Sequence, residues 1–399
     1  MKTPRILTNP LQAHIAQAIQ HAGGWLAFDA FMSLALYSPG LGYYANAGEK
    51  FGWMPEGVKG QGSDFVTAPE LTRLFGQTLA TPVAQALQAA QSSEIWEFGA
   101  GSGALAGDLL DELSRQGVPV SCYTIVEVSG ALRERQQQTL SAHLPIVHWA
   151  DALPATMSGV VLGNEVLDAM PVKLLVRRAG VWHERGVALT GEPDKAGSSD
   201  ASQFAWADQP TKLRPPGEVV GAHDYLTEIH PQAEAFVRTL ADRLDQGAVF
   251  LIDYGFPEAE YYHPQRHMGT VMCHHAHRSD TNPLADVGLK DITAHVNFTG
   301  IALAGQDAGF DVLGYCTQAR FLMNCGLLQR LESAALAEKL MAQRLILEHE
   351  MGELFKVIAF TKGISNPIGI STDRQVGAER GTETWQAIGF AAGDRTHTL

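Results

Sequence analysis

The sequence predicts an α/β fold built on a parallel β-sheet, and two patterns indicate it. From about residue 76 onward, short apolar runs alternate with helical segments, and the runs lack the polar alternation of half-exposed strands. Strands of this kind are covered by helices on both faces, as in parallel sheets. A glycine cluster follows the first run, at the edge of the sheet where α/β folds bind ligands. The predicted strands are 94–98, 122–126, 146–147, 160–162, 248–252 and 355–360.

Helical segments fill the intervals between these strands and form a separate group at the start of the chain. Asn9 is a predicted helix cap, and Pro10 takes the first helical position, where its missing N–H costs nothing. Apolar residues then recur at helical spacing until two consecutive glycines end the helix. The predicted helices are 10–22, 28–36, 74–90, 104–115, 131–142, 231–244 and 332–351.

This organisation divides the chain into three parts. Residues 1–75 are a predicted helical lid region without sheet, 76–362 a catalytic core, and 363–399 a polar C-terminal tail. Insertions into the core are predicted on the substrate side at 171–220, which opens with a β-hairpin, and at 257–297, which is rich in histidine. A further, helical insertion is predicted at about 318–351.

Bulk composition excludes several classes of protein. The 399 residues carry a formal net charge of −14, which argues against a nucleic-acid partner, because binding to phosphates depends on Lys and Arg. No run reaches the roughly 18 apolar residues that a membrane-spanning helix needs. The four cysteines form no CxxC pair and are expected to be reduced thiols. We therefore expect a soluble cytoplasmic protein.

The glycine cluster predicts the methyl donor S-adenosylmethionine as cofactor. Gly99, Gly101 and Gly103 follow the first strand and precede a helix, where a side chain would keep a ligand away from the backbone. Their spacing is GxGxG, not the GxGxxG of dinucleotide enzymes, and Glu97 stands two residues before it. The alternative is a glycine turn that binds nothing.

An acidic residue at the tip of the second strand strengthens this interpretation. Glu127 lies 24 residues beyond Gly103, near the spacing at which α/β folds place the carboxylate that accepts hydrogen bonds from ribose hydroxyls. A surface acid is the alternative. Asp151, after the third strand, is a weaker candidate for a contact on the adenine side.

The tip of the fourth strand carries two further acids that predict the acceptor chemistry. Glu165 and Asp168 are three residues apart, so one helical turn would direct both carboxylates into the same pocket. Paired carboxylates match the planar, permanently charged guanidinium group and could hold it in line with a sulfonium. The alternative for Asp168 is that it only caps a helix.

With these motifs the chain resembles the MidA-like family, which includes a mitochondrial arginine methyltransferase that takes part in complex I assembly. The resemblance extends from about residue 31 to residue 362. It rests on the ordered segments 36–44 (LYSPGLGYY), 64–70 (DFVTAPE), 97–105 (EFGAGSGAL), 164–171 (NEVLDAMP), 228–231 (EIHP), 253–255 (DYG) and 291–298 (DITAHVNF).

The resemblance implies a class I, Rossmann-like methyltransferase sheet of seven strands whose last strand is antiparallel. It also implies ω-N-methylation of arginine in a protein partner, which in the eukaryotic members is a complex I subunit. By position in these segments, Thr67, Pro69 and Glu70 are expected at the cofactor. Asn164 is expected beside the acceptor, where the family often has histidine.

Several other functions remain open from the sequence. Cys273, His274, His275 and His277 suggest a metal site, but zinc sites usually have a second pair of ligands, so we expect a polar loop and no metal. A cofactor-binding assembly chaperone without turnover and a small-molecule methyltransferase are the main alternatives to a protein-arginine methyltransferase. A nicotinamide-dependent oxidoreductase is a more distant one.

Overall fold

The structure is a computed structural model that describes residues 9–45, 67–190, 204–275, 278–364 and 387–399. Residues 46–66 of the N-terminal region, residues 191–203 of the first insertion and His277 lie outside the described residues. None of the helices in the described ranges is long and apolar enough to cross a membrane.

The strands confirm the alternating pattern read from the sequence. They are β1 (Leu26–Ala27), β2 (Glu94–Phe98), β3 (Cys122–Val126), β4 (Val147–Ala150), β5 (Met157–Asn164), β6 (Lys173–Arg178), β7 (Val181–Leu189), β8 (Phe204–Pro210), β9 (Tyr225–Ile229), β10 (Leu244–Phe256), β11 (Met272–His275), β12 (Arg278–Asp280), β13 (Asp291–Thr293), β14 (Val296–Asn297), β15 (Asp311–Thr317) and β16 (Phe355–Lys362).

Six of the seven predicted helices are present with similar bounds, whereas in the predicted helix 332–351 a continuous α-helix covers only 336–346. The described helices are α1 (Pro10–His21), α2 (Phe28–Tyr37), α3 (Ala68–Leu71), α4 (Leu74–Ala89), α5 (Ala104–Arg115), α6 (Gly130–Thr139), α7 (Pro231–Arg243), α8 (Glu258–Tyr261), α9 (Phe298–Asp307), α10 (Gln318–Asn324), α11 (Leu327–Ser333) and α12 (Leu336–Ile346). Asn9 caps α1 as expected, since its side chain accepts a hydrogen bond from the Leu11 N–H at 3.0 Å.

A central sheet organises the molecule, with strand order β15-β16-β10-β5-β2-β3-β4. Strands β10, β5, β2, β3 and β4 are parallel, whereas β16 runs antiparallel to both of its neighbours. This confirms the predicted antiparallel last strand. The sheet has eight strands rather than seven in the described chain, because the two-residue β14 pairs with the end of β10.

Burial on both faces explains why the central strands are apolar along their length. One apolar layer, which includes Phe75, Leu109 and Ile125, covers the face below α4 and α5. A second layer, which includes Val237 and Phe298, covers the opposite face below α7 and α9. The carboxyl ends of β2, β3 and β5 therefore meet at one open edge of the sheet.

A second, antiparallel sheet is built mainly from the first insertion. Strands β6 and β7 form the predicted hairpin, which turns at Ala179 and Gly180, both in the left-handed region. Strands β9, β8 and β1 complete this sheet, with order β1-β7-β6-β9 and β8 paired to β7. Helices α1 and α2 pack on it through a shared apolar core.

Three parts of the chain differ from the sequence expectations. The N-terminal region contributes strand to a sheet, because β1 pairs with β7. The histidine-rich stretch at 257–297 contains a small antiparallel sheet of order β12-β11-β13. Residues 387–399 do not form a purely polar tail: Phe390 is buried and stacks edge-on against Phe321, at 5.2 Å between ring centroids.

Candidate active site

A cavity of about 880 Å³ lies at the open edge of the central sheet. It is enclosed on one side by the loops after β2, β3 and β5, and on the other by α2 and the strands of the second insertion. Of the predicted site residues, the cavity is lined by Thr67, Pro69, Glu70, Glu97, Gly99, Gly101, Glu127, Asn164, Glu165 and Asp168.

Two predicted site residues lie elsewhere. Gly103 is not part of the cavity wall; it begins α5 and its Cα faces Leu140, which a Cβ would approach to 3.4 Å. Asp151 is exposed and does not line the cavity, so the structure does not place it with the other candidates. The strand that precedes it extends to Ala150, which leaves Asp151 in the turn beyond the sheet edge.

The glycine loop has the backbone that its sequence requires. Gly99, Gly101 and Gly103 have φ values of 65°, 53° and 86°, a region that residues with a Cβ rarely adopt. At Gly99 a Cβ would also approach Cγ2 of Val166 to 2.8 Å. Both constraints leave bare backbone facing the cavity, where a ligand can approach it closely.

Two buried carboxyl groups flank this loop. Glu97 accepts a hydrogen bond from the Tyr123 hydroxyl at 2.7 Å, and burial raises its pKa to about 7. Glu127, at the tip of β3, accepts from the Ser129 N–H at 2.8 Å and from the Gln136 side chain at 3.4 Å. Burial raises the pKa of Glu127 as well.

The short helix α3 crosses the cavity and joins its two halves. The Ser102 hydroxyl, in the glycine loop, donates to Oε1 of Glu70. The backbone N–H of Ala68 donates to Oε1 of Glu165 at 3.4 Å. One four-residue helix therefore contacts both the glycine loop and the tip of β5, which explains why segment 64–70 accompanies the other two motifs.

Glu165 stands at the tip of β5 in an uncommon conformation. Its φ is 53°, which for a residue with a side chain costs about 1 kcal/mol or more. Its N–H donates to the Ile252 carbonyl at 2.8 Å, and its carboxylate accepts from the Asn164 amide at 3.1 Å. Burial and the neighbouring charge of Asp168 raise the pKa of Glu165 to about 8.

Asp168 lines the same cavity, but its local backbone structure differs from the predicted helical turn. Residues 167–170 form a turn and no helix begins there, so Asp168 is neither on a helical turn with Glu165 nor a helix cap. The carboxylate of Asp253 holds the turn by accepting from the N–H groups of Leu167 at 2.9 Å and Asp168 at 3.2 Å. Burial raises the pKa of Asp168 to about 6, against the opposing effect of a hydrogen bond from Tyr254.

Glu165, Asp168 and the neighbouring Asp253 have no positively charged group beside them in the described parts of the chain. The carboxyl groups of Asp168 and Glu165 add to burial in raising the pKa of Asp253 well above its ordinary value. Across the described ranges, no Lys, Arg or His nitrogen lies within 4.0 Å of the carboxylates of Glu165, Asp168 or Asp253. Oδ1 of Asp168 and Oδ1 of Asn164 are buried and accept no hydrogen bond from the described residues.

Sequence reasoning missed Asp291 as a member of the site. Asp291 is buried at the start of β13, lines the cavity and accepts from the Tyr44 hydroxyl at 2.8 Å. His295 also lines the cavity, and burial lowers its pKa to about 4, so its imidazole is neutral at pH 7. The available signal was segment 291–298 itself, which lies in an insertion where strand-tip reasoning does not apply.

Comparison with known proteins decides the family. A family model described as an S-adenosyl-L-methionine-dependent methyltransferase matches residues 78–316, more than half of the chain. The chain belongs to the MidA-like family of S-adenosylmethionine-dependent methyltransferases. A crystal structure from Burkholderia thailandensis, bound to S-adenosyl-homocysteine, is similar to it over 100% of this chain and 99% of that one, with 45% identity and a TM-score of 0.86.

Relatives of this MidA-like protein include enzymes with a named activity. The protein arginine methyltransferase NDUFAF7 homolog of Caenorhabditis elegans, named as mitochondrial, is 26% identical over 81% of this chain and 78% of its own length. The mitochondrial protein arginine methyltransferase NDUFAF7 of Danio rerio is 27% identical over 80% of this chain and 77% of its own length.

The MidA-like protein is thus an enzyme, and its cofactor is S-adenosylmethionine. The cavity fits such a group on its own geometry. Gly99 and Gly101 form a cradle that a Cβ would fill, and Glu127 lies in the cavity wall beside them. A cavity of about 880 Å³ is also large enough for the cofactor together with an acceptor side chain.

Proposed function

We propose that this protein is a protein-arginine N-methyltransferase. The observation that carries the proposal is the group of carboxyl groups at the tips of β5 and β10, formed by half-buried Glu165 and buried Asp168 and Asp253, without a cation beside them among the described residues. Burying ionised carboxyl groups without a partner is costly, so the proteins that keep them use them to bind cations or to move protons. Guanidinium is permanently charged and matches such acceptors in geometry.

We propose that the glycine-loop half of the cavity holds the cofactor. Gly99 and Gly101 would face its amino acid moiety, and Glu97 the cationic amino group. Glu127 would accept from the ribose hydroxyls. Gly103 would act indirectly, as the N-cap residue of α5. We assign no role to Asp151, since it lies outside the cavity. The α3 residues Thr67, Pro69 and Glu70 would cover this half.

In the other half, we propose that Glu165 and Asp168 orient the acceptor guanidinium, with Asn164 as a neutral acceptor beside them. When bound, S-adenosylmethionine would supply an electrophilic methyl group, whose bond to the sulfonium sulfur breaks to leave the neutral thioether S-adenosylhomocysteine. An ω-nitrogen of the guanidinium forms the new N–C bond, and the product guanidinium retains its positive charge by losing one N–H proton. Glu165, whose pKa of about 8 is close to neutral pH, is the acceptor for that proton.

The identity of the client is the narrower part of the proposal. The relatives are named protein arginine methyltransferases, which supports a protein client. From the family resemblance we propose that the client is a subunit of a respiratory NADH dehydrogenase or another partner protein. We also propose a cytoplasmic location, because the four cysteines are all free thiols in described parts of the chain, as expected in a reducing compartment.

The experiment is methyl transfer from isotope-labelled S-adenosylmethionine to a cell lysate, with and without purified protein. We expect label on protein, and mass spectrometry should locate it on arginine. Glu165→Gln should lower transfer about 100-fold or more and leave S-adenosylhomocysteine affinity, measured by calorimetry, nearly unchanged. Glu332→Gln is the control, because Glu332 is exposed on α11 away from the cavity.

Each other outcome contradicts a defined part of the proposal. Label only in metabolites would replace the protein client with a small molecule. Label on lysine would exclude arginine as the acceptor. Normal transfer by Glu165→Gln would remove the role assigned to that residue.

A further inference from the structure

Two tyrosines from the N-terminal region form one wall of the acceptor half of the cavity. Tyr37, at the end of α2, and Tyr44 stack with 5.6 Å between ring centroids and 19° between ring planes. Both line the cavity that also holds Asp168 and Asp291. The cofactor and acceptor roles assigned above leave this pair without a function.

The backbone turn after α2 fixes the positions of both rings. Gly42 approaches α2 so closely that a Cβ would lie 2.6 Å from the Leu36 carbonyl oxygen. The N–H of Tyr44 donates to the same carbonyl at 2.8 Å. Segment 36–44 therefore needs its second glycine to bring Tyr44 back beside Tyr37.

The hydroxyl groups of both tyrosines form hydrogen bonds in the acceptor half of the cavity. The Tyr37 hydroxyl donates to the Ala169 carbonyl at 2.8 Å, next to Asp168. The Tyr44 hydroxyl donates to Oδ2 of Asp291 at 2.8 Å. Burial, with the charges of Asp291 and Asp168 adding to it, raises the pKa of the Tyr37 hydroxyl well above its ordinary value, so it is a neutral donor.

The ring of Tyr37 is available to a ligand although its hydroxyl is not. Its side chain is 40% exposed, whereas the adjacent core tyrosine, Tyr43, is 1% exposed. Tyr44 stacks on one face of the Tyr37 ring, and the exposed part of Tyr37 lines the cavity. Core packing accounts for Tyr43 and does not account for this exposed, anchored ring.

We infer that the Tyr37–Tyr44 pair and Asp291 form a slot that selects a guanidinium over an ammonium group. The inference rests on the proposed function and extends it to how the acceptor is recognised. A planar, weakly hydrated cation can lie against an aromatic face while its edge donates to Asp168 and Asp291. A lysine ammonium is compact and strongly hydrated, and gains less from the ring.

The test uses small cations, so that it does not depend on knowing the client. Binding of methylguanidinium and of methylammonium is measured by NMR titration in the presence of S-adenosylhomocysteine. We expect wild-type protein to bind methylguanidinium about fivefold more tightly than methylammonium, and Tyr37→Leu to lose about that factor for methylguanidinium alone. Tyr37→Phe, which keeps the ring, should retain the preference.

Two controls locate the effect. Asp168→Asn should weaken binding of both cations, which shows that they occupy this cavity. Trp206→Leu, a partly exposed aromatic residue on the second sheet outside the cavity lining, should change neither affinity. Equal affinities of wild-type protein for methylguanidinium and methylammonium would contradict the proposed slot. An unchanged preference for methylguanidinium in Tyr37→Leu would contradict it as well. Selective guanidinium binding without any arginine methylation of protein would instead contradict the proposed function and leave the slot intact.

Discussion

Single residues at the tip of β5 determine the charge state of the site. Glu165 has a strained φ of 53°, and its carboxyl group lies beside two other buried acids. Burial and the charge of Asp168 raise the pKa of the Glu165 carboxyl group. A residue in this state gains most when a cation arrives, because the cation stabilises its ionised form.

This coupling predicts that cation binding depends on pH. Glu165 has a pKa of about 8 in the free enzyme, so it must release a proton to accept from a guanidinium. Methylguanidinium affinity should therefore rise about fiftyfold from pH 6 to pH 8 and level off above about pH 9. Asp168, with a pKa of about 6, contributes mainly at the lower end of this range.

NMR titration of methylguanidinium at several pH values and constant ionic strength measures the effect. Glu165→Gln should flatten the profile between pH 7 and pH 8, because the variant has no proton to release there. An affinity that is constant or falls over this range in wild-type protein would show that Glu165 does not bind the cation.

At the scale of elements, the sequence predicts what is periodic and misses what depends on tertiary contact. Strand β3 and helix α5 have the bounds that their patterns predict, and Glu127 and Glu165 stand at strand tips as expected. Asp291 could not be found this way, because it lies in a short strand of an insertion and reaches the cavity only through the packing of that insertion. The predicted helical turn at Asp168 was wrong for a related reason: Asp253, 85 positions away in the chain, holds a different turn.

The C-terminal segment 387–399 also makes tertiary contacts that its sequence does not reveal. Phe390 packs on Phe321 and covers Gly314, where a Cβ would lie 2.3 Å from its ring. Asp394 accepts from the Tyr315 N–H at 3.0 Å, so the segment is held to β15 by polar contacts as well. The segment 387–399 thus closes one end of the core.

Phe390→Ala should lower the free energy of unfolding by about 3 kcal/mol, because it leaves a cavity against Phe321. Phe390→Leu should lose less. Affinity for S-adenosylhomocysteine should not change in either variant, since residues 387–399 do not line the cavity. Urea unfolding and calorimetry measure the two quantities, and an unchanged stability in Phe390→Ala would show that the segment is not part of the folded core.

At the scale of the whole molecule, two sheets meet around one cavity. The central sheet supplies the glycine loop and the carboxylates, and the opposite wall comes from the end of α2, the turn after it and the small sheet β12-β11-β13. The sequence predicts the first half from its strand tips alone. The second half depends on contacts between residues 37–44 and residues 291–295. These residues are far apart in the chain, so no local sequence pattern predicts that contact.

Burial of so many acids in one site has a consequence for global stability. Glu97 and Glu165 have pKa values of about 7 and about 8 in the folded protein, whereas both ionise near pH 4.5 in the unfolded chain. The folded state therefore binds more protons, and the free energy of unfolding falls as pH rises through this range. His230 and His295, with pKa values lowered to about 4, act in the opposite direction, but only below about pH 6.5.

The protein without cofactor should consequently be less stable at pH 8 than at pH 6.5, by on the order of 2 kcal/mol. Lys356, whose pKa is lowered to about 8, reverses the trend only at higher pH, where the unfolded chain still holds its proton. Urea unfolding at both pH values measures the difference. The double variant Glu97→Gln/Glu165→Gln should remove most of it, and Glu332→Gln should not. A wild-type protein that gains stability over this interval would mean that these two carboxyl groups are ionised in the fold, and the cavity would then need a counter-charge from another source.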